Sequence, residues 1–328
     1  MTPKERFLKA VHFQQPGDHV AAMELEFQIT KEYVGRELIL GETFAALSAK
    51  EKQYAHHENA LTLIAVQEKA GLDALKELGG YWEEAPGKPA FMWLPSMEDR
   101  LDFVRTFKRE AGETYFLCGN LGATLAIPDG NQLYSFSQRL FEEPGEIHKE
   151  CEALLQKGLE DGQRLLEAGC DGIINASDIA FNTGTFFSPA MLDEFFFPYF
   201  ERWVRQTKRQ GALTIWHTDG NINAVLGRAV ECGVEAIQCI DPLAGMDIVA
   251  LKKAWYPRVA LIGNIDCALL QTGTCSEIDQ AVKVTVEGCR DGGGYVCGGC
   301  NAIFHGIPAE HYQWMVEARM RYGAADNA

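Results

Sequence analysis

Leu154-Leu155-Gln156-Lys157-Gly158-Leu159-Glu160-Asp161-Gly162-Gln163-Arg164-Leu165-Leu166-Glu167-Ala168-Gly169-Cys170-Asp171-Gly172-Ile173-Ile174-Asn175 is one complete unit of a repeating plan. Leu154, Leu155, Gly158, Leu159, Gly162, Leu165 and Leu166 recur at three-to-four spacing, the stripe of a helix with one apolar side. Gly169 closes that helix. Gly172 to Asn175 is then a short apolar strand that ends on a polar residue. The same order returns at Ala224 to Gly233 before Ala236-Ile237-Gln238-Cys239-Ile240, and at Ser276 to Gly288 before Gly294-Tyr295-Val296-Cys297. Ser276-Glu277-Ile278-Asp279 reads as the capping box of the third helix.

Outward from these units, eight strands are expected near residues 20–27, 72–78, 115–121, 171–176, 212–217, 235–240, 259–263 and 294–297. Strand-helix alternation requires parallel pairing with crossovers of one hand, so eight units predict an α/β chain closed as a (β/α)8 TIM barrel. Thr2, Pro3 and Glu5 mark the start of a first helix ending near Gln14 to Gly17, and Ser48 to Lys69 reads as another, stopped by Gly71. Residues 80–113 and 122–150, with Pro86, Pro95, Pro128, Gly130 and Pro144, are expected to be helical insertions over the C-terminal mouth. No Ser, Gly or Pro linker divides the chain, so residues 1–328 are expected to form one barrel domain.

Composition narrows the partners. Against 46 acidic residues stand 30 Lys and Arg, a formal charge of −16 that repels a phosphate backbone, and no basic patch offsets it. Nucleic acid is therefore not expected as a partner. The longest apolar runs, Phe195-Phe196-Phe197 and Leu61 to Val66, fall far short of a membrane span, and the N-terminus has no signal-peptide core, so a cytoplasmic protein off the membrane is expected. Ten cysteines at irregular spacing read as reduced thiols. Cys118, Cys170, Cys232, Cys239 and Cys289 lie in or beside apolar runs and are expected to pack in the core. Phe195 to Phe200 is expected to be a helix-packing surface, with a subunit contact, and hence a homodimer, as the alternative.

In a barrel of this kind the chemistry lies where strands end. The polar residues there are Glu24 and Glu26, which share a face if the strand is extended, then Asn120, Asn175, Asp178, His217, Asp219, Asp241, Asn264, Asp266, Cys297 and Cys300. The set is rich in acids and metal-capable groups. It holds neither a Gly-x-Ser-x-Gly elbow nor a phosphate loop, which disfavours serine hydrolases and nucleotide-dependent enzymes. An extended His217-Thr218-Asp219 places its imidazole and carboxylate on one side, either to grip a metal or as a strand-end histidine oriented by Asp219. Cys297-Gly298-Gly299-Cys300 opens on the same mouth, which pairs His217 with Cys300 as zinc ligands and leaves the third to Asp219, Cys297 or a first-strand glutamate.

Taken together, these stretches resemble the uroporphyrinogen decarboxylase superfamily, particularly its methyltransferase-like branch. Met1-Thr2-Pro3-Lys4-Glu5-Arg6-Phe7 with Pro16-Gly17-Asp18 resembles the N-terminal signature. Ser177-Asp178-Ile179-Ala180-Phe181, Ser188-Pro189 and Phe197-Pro198-Tyr199 resemble its middle block. His217-Thr218-Asp219-Gly220-Asn221 stands at its His-x-Cys or His-x-Asp motif, and Asp241 to Asp247, Gly263-Asn264-Ile265-Asp266 and the Cys300 region follow in family order. The resemblance implies the barrel. For the methyltransferase branch it implies zinc on His, Cys and Cys, and methyl transfer between a small molecule and a corrinoid on a partner protein. His217 and Cys300 match that pattern, while Asp219 stands where the second cysteine would be, giving His217, Asp219 and Cys300 as the expected metal set. Asp178, His217, Asp219 and Asp266 are then the expected catalytic residues, with Asp178 or Asp266 positioning substrate or moving a proton. Glu24, Glu26, Asn120, Asn175 and Asn264 are the expected substrate contacts.

Uroporphyrinogen decarboxylation is the alternative. The decarboxylases resemble one another in an Arg-rich N-terminal segment that meets a polyanionic substrate, and Ala22-Met23-Glu24-Leu25-Glu26-Phe27 puts two carboxylates in that region. A small-molecule binder that has kept the barrel without its chemistry is the third reading.

Overall fold

The computed structural model describes residues 1–82 and 91–324; the expected insertion around Pro86 lies partly outside them. Among the described residues eight parallel strands make one sheet: β1 Met23–Glu24, β2 Ala74–Lys76, β3 Phe116–Leu121, β4 Gly172–Ala176, β5 Leu213–His217, β6 Ala236–Cys239, β7 Ala260–Ile265 and β8 Tyr295–Gly299. Each falls within or beside its expected segment. Helices Ala49–Ala70, Met97–Ala111, Pro144–Ala168, Phe197–Arg209, Leu226–Glu231, Ile248–Trp255 and Cys275–Cys289 connect successive strands, and Ala309–Gly323 follows β8. This is the (β/α)8 barrel.

Local chemistry sets the helix ends. Thr2 and Glu5 form the expected capping box, although the helix stops at Val11, and Ser48 with Glu51 caps Ala49–Ala70, which ends on Gly71 in the left-handed region. The box before β8 pairs Thr274 with Glu277, because that spacing lets each side chain reach the other's backbone N–H; Ser276 lies two residues past the cap, within the first turn. Of the expected insertions, Met97–Ala111 is the barrel's own helix between β2 and β3. The excursion after β3 carries the additional helix Leu133–Glu142, and the one after β4 carries a hairpin, Ala180–Phe181 with Gly184–Thr185. No described helix is long and apolar enough to cross a membrane.

Strand alternation divides the core into two layers. Met23, Ala74, Phe116, Cys118, Ile174, Leu213, Ile215, Ala236, Ala260, Ile262 and Val296 fill the barrel interior. Phe7, Ala10 and Val11 of the N-terminal helix close that cluster from below. Arg6 fastens the plug to Asp73, whose other oxygen accepts the Ala22 N–H at 2.8 Å. Residues of the opposite parity, Leu75, Leu117, Ile173, Trp216, Ile237, Leu261 and Cys297, pack outward against the helices. Phe195, Phe196, Phe197 and Phe200 join this outer layer buried, with Phe196 and Phe200 against Trp216, so the aromatic side chains of this stretch are helix-packing surface and Pro198 is its exposed residue.

The barrel closes between β8 and β1. The Cys297 N–H donates to Ala21 O at 2.8 Å, and Ala22 bridges Cys297 in parallel register. A Cβ on Gly298 would stand 2.1 Å from Met23 O, so the close approach of the two strands requires glycine there. Glu24 points outward into the seam. It accepts the Gly299 N–H at 2.8 Å and the Tyr312 hydroxyl at 3.1 Å, tying both end strands to the last helix.

Burial raises the Glu24 carboxyl to about 7, against the opposing pull of those two hydrogen bonds and Arg319. A carboxyl raised in the folded state costs no stability below its unfolded value near 4.5, and the cost grows as pH climbs to about 7. At 1.36 kcal/mol per unit it reaches on the order of 3 kcal/mol. Glu24→Gln keeps an acceptor for Gly299 and removes the charge. Its urea midpoint is expected to match the parent at pH 4.5 and exceed it at pH 8; a midpoint that falls at pH 8 contradicts the account.

Candidate active site

β4 and β5 stand side by side, with Ala176 opposite His217. His217 faces inward at the end of β5, and Asp178 and Asp219 follow on the loops beyond the two strands. One ligand atom from each of the three lies within 4.8 Å of the others. His217 Nε2 is 3.8 Å from Asp178 Oδ1 and 3.8 Å from Asp219 Oδ1. The Asp219 N–H donates to Asp178 Oδ1 at 2.9 Å. Asp219 Oδ2 accepts from Asn301 Nδ2 at 2.8 Å, while Asp219 Oδ1 is enclosed without a hydrogen-bond partner. Burial raises the Asp219 carboxyl above its ordinary value; His217 opposes the shift and Asp178 adds to it. The two acid loops interlock at Gly220, whose φ is +83° and where a Cβ would lie 2.6 Å from Ala180 O.

Behind His217 stands Gln238 of β6, its register partner across the sheet and 1% exposed. Gln238 Oε1 bonds His217 Nδ1, and Gln238 Nε2 donates to Cys300 O at 3.4 Å. Opposite, β2 supplies Lys76, which donates to Gly79 O and lies 3.2 Å from Glu26 Oε1. Arg100 is held by Glu77 and by Asn120 O, and Asn120 Oδ1 is enclosed without a partner. His217, Asp178, Asp219, Lys76, Arg100 and Asn120 line a cavity of about 540 Å3 at the strand C-terminal ends, which Ala126 and Ile127 of the β3 excursion also line.

Of the residues expected from sequence, Asp178, His217, Asp219, Asn120 and Glu26 meet in this cavity. The others do not. Asn175 has outward parity and is fully buried, its Oδ1 accepting the Ala123 N–H at 2.8 Å and its Nδ2 donating to Thr124 Oγ1 at 2.9 Å. Glu24 serves the seam, and Cys297 also points outward. Asp266 caps Cys267–Thr272 by accepting the Ala268 N–H, and Asp241 caps the turn Pro242–Ala244. Asn264 and Asp266 line a separate groove of about 820 Å3 against helix Cys275–Cys289. Cys300 contributes its carbonyl; its Sγ faces Cys267 Sγ at 3.8 Å in the outer core, so Asp178 takes the place beside His217 and Asp219 expected of that thiol. Nine of the ten thiols are buried, and Cys275 is exposed. Lys76, Arg100, Gln238 and Asn301 were not among the expected residues. For Lys76 and Gln238 a signal existed, a polar residue in line with inward apolar neighbours two positions before.

Residues 89–322 match the sequence profile of the uroporphyrinogen decarboxylase (URO-D) family. A methylcobamide:CoM methyltransferase, MtaA, of Methanosarcina barkeri is 24% identical over 228 residues, 68% of this chain and 63% of the relative's length. A uroporphyrinogen decarboxylase of an Anaeromyxobacter species is 27% identical over 77% of this chain and 68% of its own. Among solved structures, a methyltransferase from Methanosarcina mazei superposes with a TM-score of 0.74 at 18% identity, covering 98% of this chain and 99% of that one, a likeness of fold.

Asn175→Ala leaves the buried Ala123 N–H without its acceptor, at about 1–3 kcal/mol, while the Thr124 hydroxyl keeps Ser177 Oγ at 3.0 Å. The urea midpoint is expected to fall, while the metal and ligand affinity of the folded fraction stays at the parent level. Loss of affinity without loss of stability would return Asn175 to the site.

Proposed function

This chain belongs to the uroporphyrinogen decarboxylase family, and from that premise we propose that it is a methyltransferase, moving a methyl group between a small molecule and a corrinoid held by a separate protein. The observation that carries the reading is the cluster of Asp178, His217 and Asp219 at the barrel mouth. His217 Nε2 and the enclosed Asp219 Oδ1, which has no hydrogen bond of ordinary geometry, face one another at 3.8 Å, with the Cys239 thiol a further neighbour of the Asp219 carboxyl. That donor chemistry fits a zinc ion, which His217 and Asp219 would hold. Bound there, zinc would supply Lewis acidity to the heteroatom that gains or loses the methyl group.

The chain's own residues do the remaining work. Asn120 Oδ1 accepts a hydrogen bond from a substrate N–H or O–H on the wall opposite His217. Lys76 and Glu26 neutralise one another on that wall, so it presents a polar surface with little net charge. A volume of about 540 Å3 suits a small substrate. Tyr134 and Phe141, seven residues apart on Leu133–Glu142, are strongly exposed, and Phe181 on the hairpin after β4 is half-exposed. These aromatics give a partner protein apolar ground on the two excursions that flank the mouth.

Porphyrinogen decarboxylation is kept as a second reading by one observation. Glu24 is withdrawn into the seam and Glu26 is paired with Lys76, so the first strand adds little like-charge repulsion, and what the mouth keeps comes from Asp178 and Asp219. The cations on the other wall are already matched by Glu26 and Glu77, which leaves no free cationic surface among the described mouth residues for a polyanion.

The deciding measurement uses zinc-loaded protein with methylcobalamin and a small thiol, followed by cobalamin absorbance, beside a parallel incubation with uroporphyrinogen. Methyl transfer is expected, falling about 100-fold or more in His217→Ala and Asp219→Ala, and uroporphyrinogen is expected to keep all its carboxylates. Decarboxylation without methyl exchange would reverse the assignment.

A further inference from the structure

We infer that Asp178, His217 and Asp219 hold a divalent cation through nitrogen and oxygen alone, with Gln238 as the positioning residue and Cys300 outside the ligand set. The inference rests on reading the mouth as a metal-assisted site and goes on to name its ligand chemistry.

The argument starts at Cys300 O. A carbonyl oxygen only accepts, so the Gln238 group facing it at 3.4 Å is the amide NH2. The other end of that amide, Oε1, also only accepts, and it faces His217 Nδ1. His217 therefore carries its proton on Nδ1, and its Nε2 lone pair points into the mouth. A histidine fixed this way by a partner on one nitrogen is prepared as a ligand on the other. His217 is 7% exposed, and its Nε2 makes no hydrogen bond; its near neighbours are Asp178 Oδ1 and Asp219 Oδ1, each at 3.8 Å.

The carboxylates are prepared as well. Asn301 holds Asp219 Oδ2, which turns the unpartnered Oδ1 toward His217. The Asp219 N–H holds Asp178 on the same side. One loop does both second tasks, since Cys300 O orients Gln238 and the next residue orients Asp219. The Cys300 thiol is not among the clustered ligand atoms and packs on Cys267 Sγ at 3.8 Å. One imidazole and two carboxylates form a harder set than imidazole with thiolates, suited to zinc, cobalt(II), manganese(II) or iron(II) and without the thiolate that selects soft ions.

Cobalt(II) added to metal-stripped full-length protein is the probe, because thiolate ligation gives an intense near-ultraviolet charge-transfer band that imidazole and carboxylate ligation lack. One ion is expected per chain, without that band, and with affinity unchanged in Cys300→Ala. Asp178→Asn, at a half-exposed side chain whose amide oxygen can still accept the Asp219 N–H, is expected to weaken binding measurably. Gln238→Leu is expected to lose about 10–100-fold in affinity, the usual cost of removing a ligand's orienting partner. Gln238→Glu, which still accepts from Nδ1, should retain most of it. Nitrogen NMR of the His217 ring supplies a readout that simple destabilisation would not move: the proton on Nδ1 in the parent, and a mixed population in Gln238→Leu. A charge-transfer band that disappears in Cys300→Ala, unchanged affinity in Asp178→Asn, or no cobalt binding overturns the inference. None of these measurements needs methyl donor or partner protein, so failure of methyl transfer with cobalt bound as described would count against the proposed reaction alone.

Discussion

The meeting of the first and last strands is the constraint on which the rest of this molecule depends. β1 and β8 are brought together by the bare backbone of Gly298 against Met23 O and by Glu24 on the Gly299 N–H. The residues immediately past that seam are Cys300 and Asn301, whose carbonyl and amide orient Gln238 and Asp219. Closure therefore does more than remove the two sheet edges. It delivers the loop that sets the angle of the His217 ring and the direction of one carboxylate, from a strand distant in sequence and three places away around the barrel.

Much of the fold was legible because its signals are local. A capping box, a stripe at three-to-four spacing and a closing glycine act within a few residues, and an apolar run between them has little choice but to become a buried parallel strand. The site was legible in part. His217, Asp219 and Asp178 follow strand ends directly, where the barrel collects its chemistry. Asn175, Glu24 and Cys297 were misplaced by one step of alternation, since a shift of a single residue carries a side chain from the interior to the helix layer. Ile174 faces inward, so Asn175 cannot. Lys76 and Gln238 have the inward parity and were overlooked because they sit inside or against apolar runs. Asp266 and Asp241 were lost to competition from the backbone, where N-terminal N–H groups of a helix and a turn claim them.

Charge reads differently in three dimensions as well. The residues expected at the strand ends are rich in acids, yet Glu26, Glu77, Lys76 and Arg100 cancel along one wall and Glu24 is absent from it. Among the described mouth residues, what remains unbalanced is Asp178 and Asp219. The relevant electrostatics is a property of four to six groups in a small enclosure, and chain totals describe only solubility and long-range steering.

The interlock at Gly220 gives that residual imbalance its weight. With the Asp219 loop pressed onto Ala180 O, the two carboxylates cannot part by moving their loops, and the Asp219 N–H keeps Asp178 from swinging clear. Their mutual repulsion is thus built into the fold as frustration, tolerated because the scaffold around it is stiff. A cation held between them, as inferred above, would relieve this conflict, and occupancy of the mouth would then be linked to resistance to unfolding.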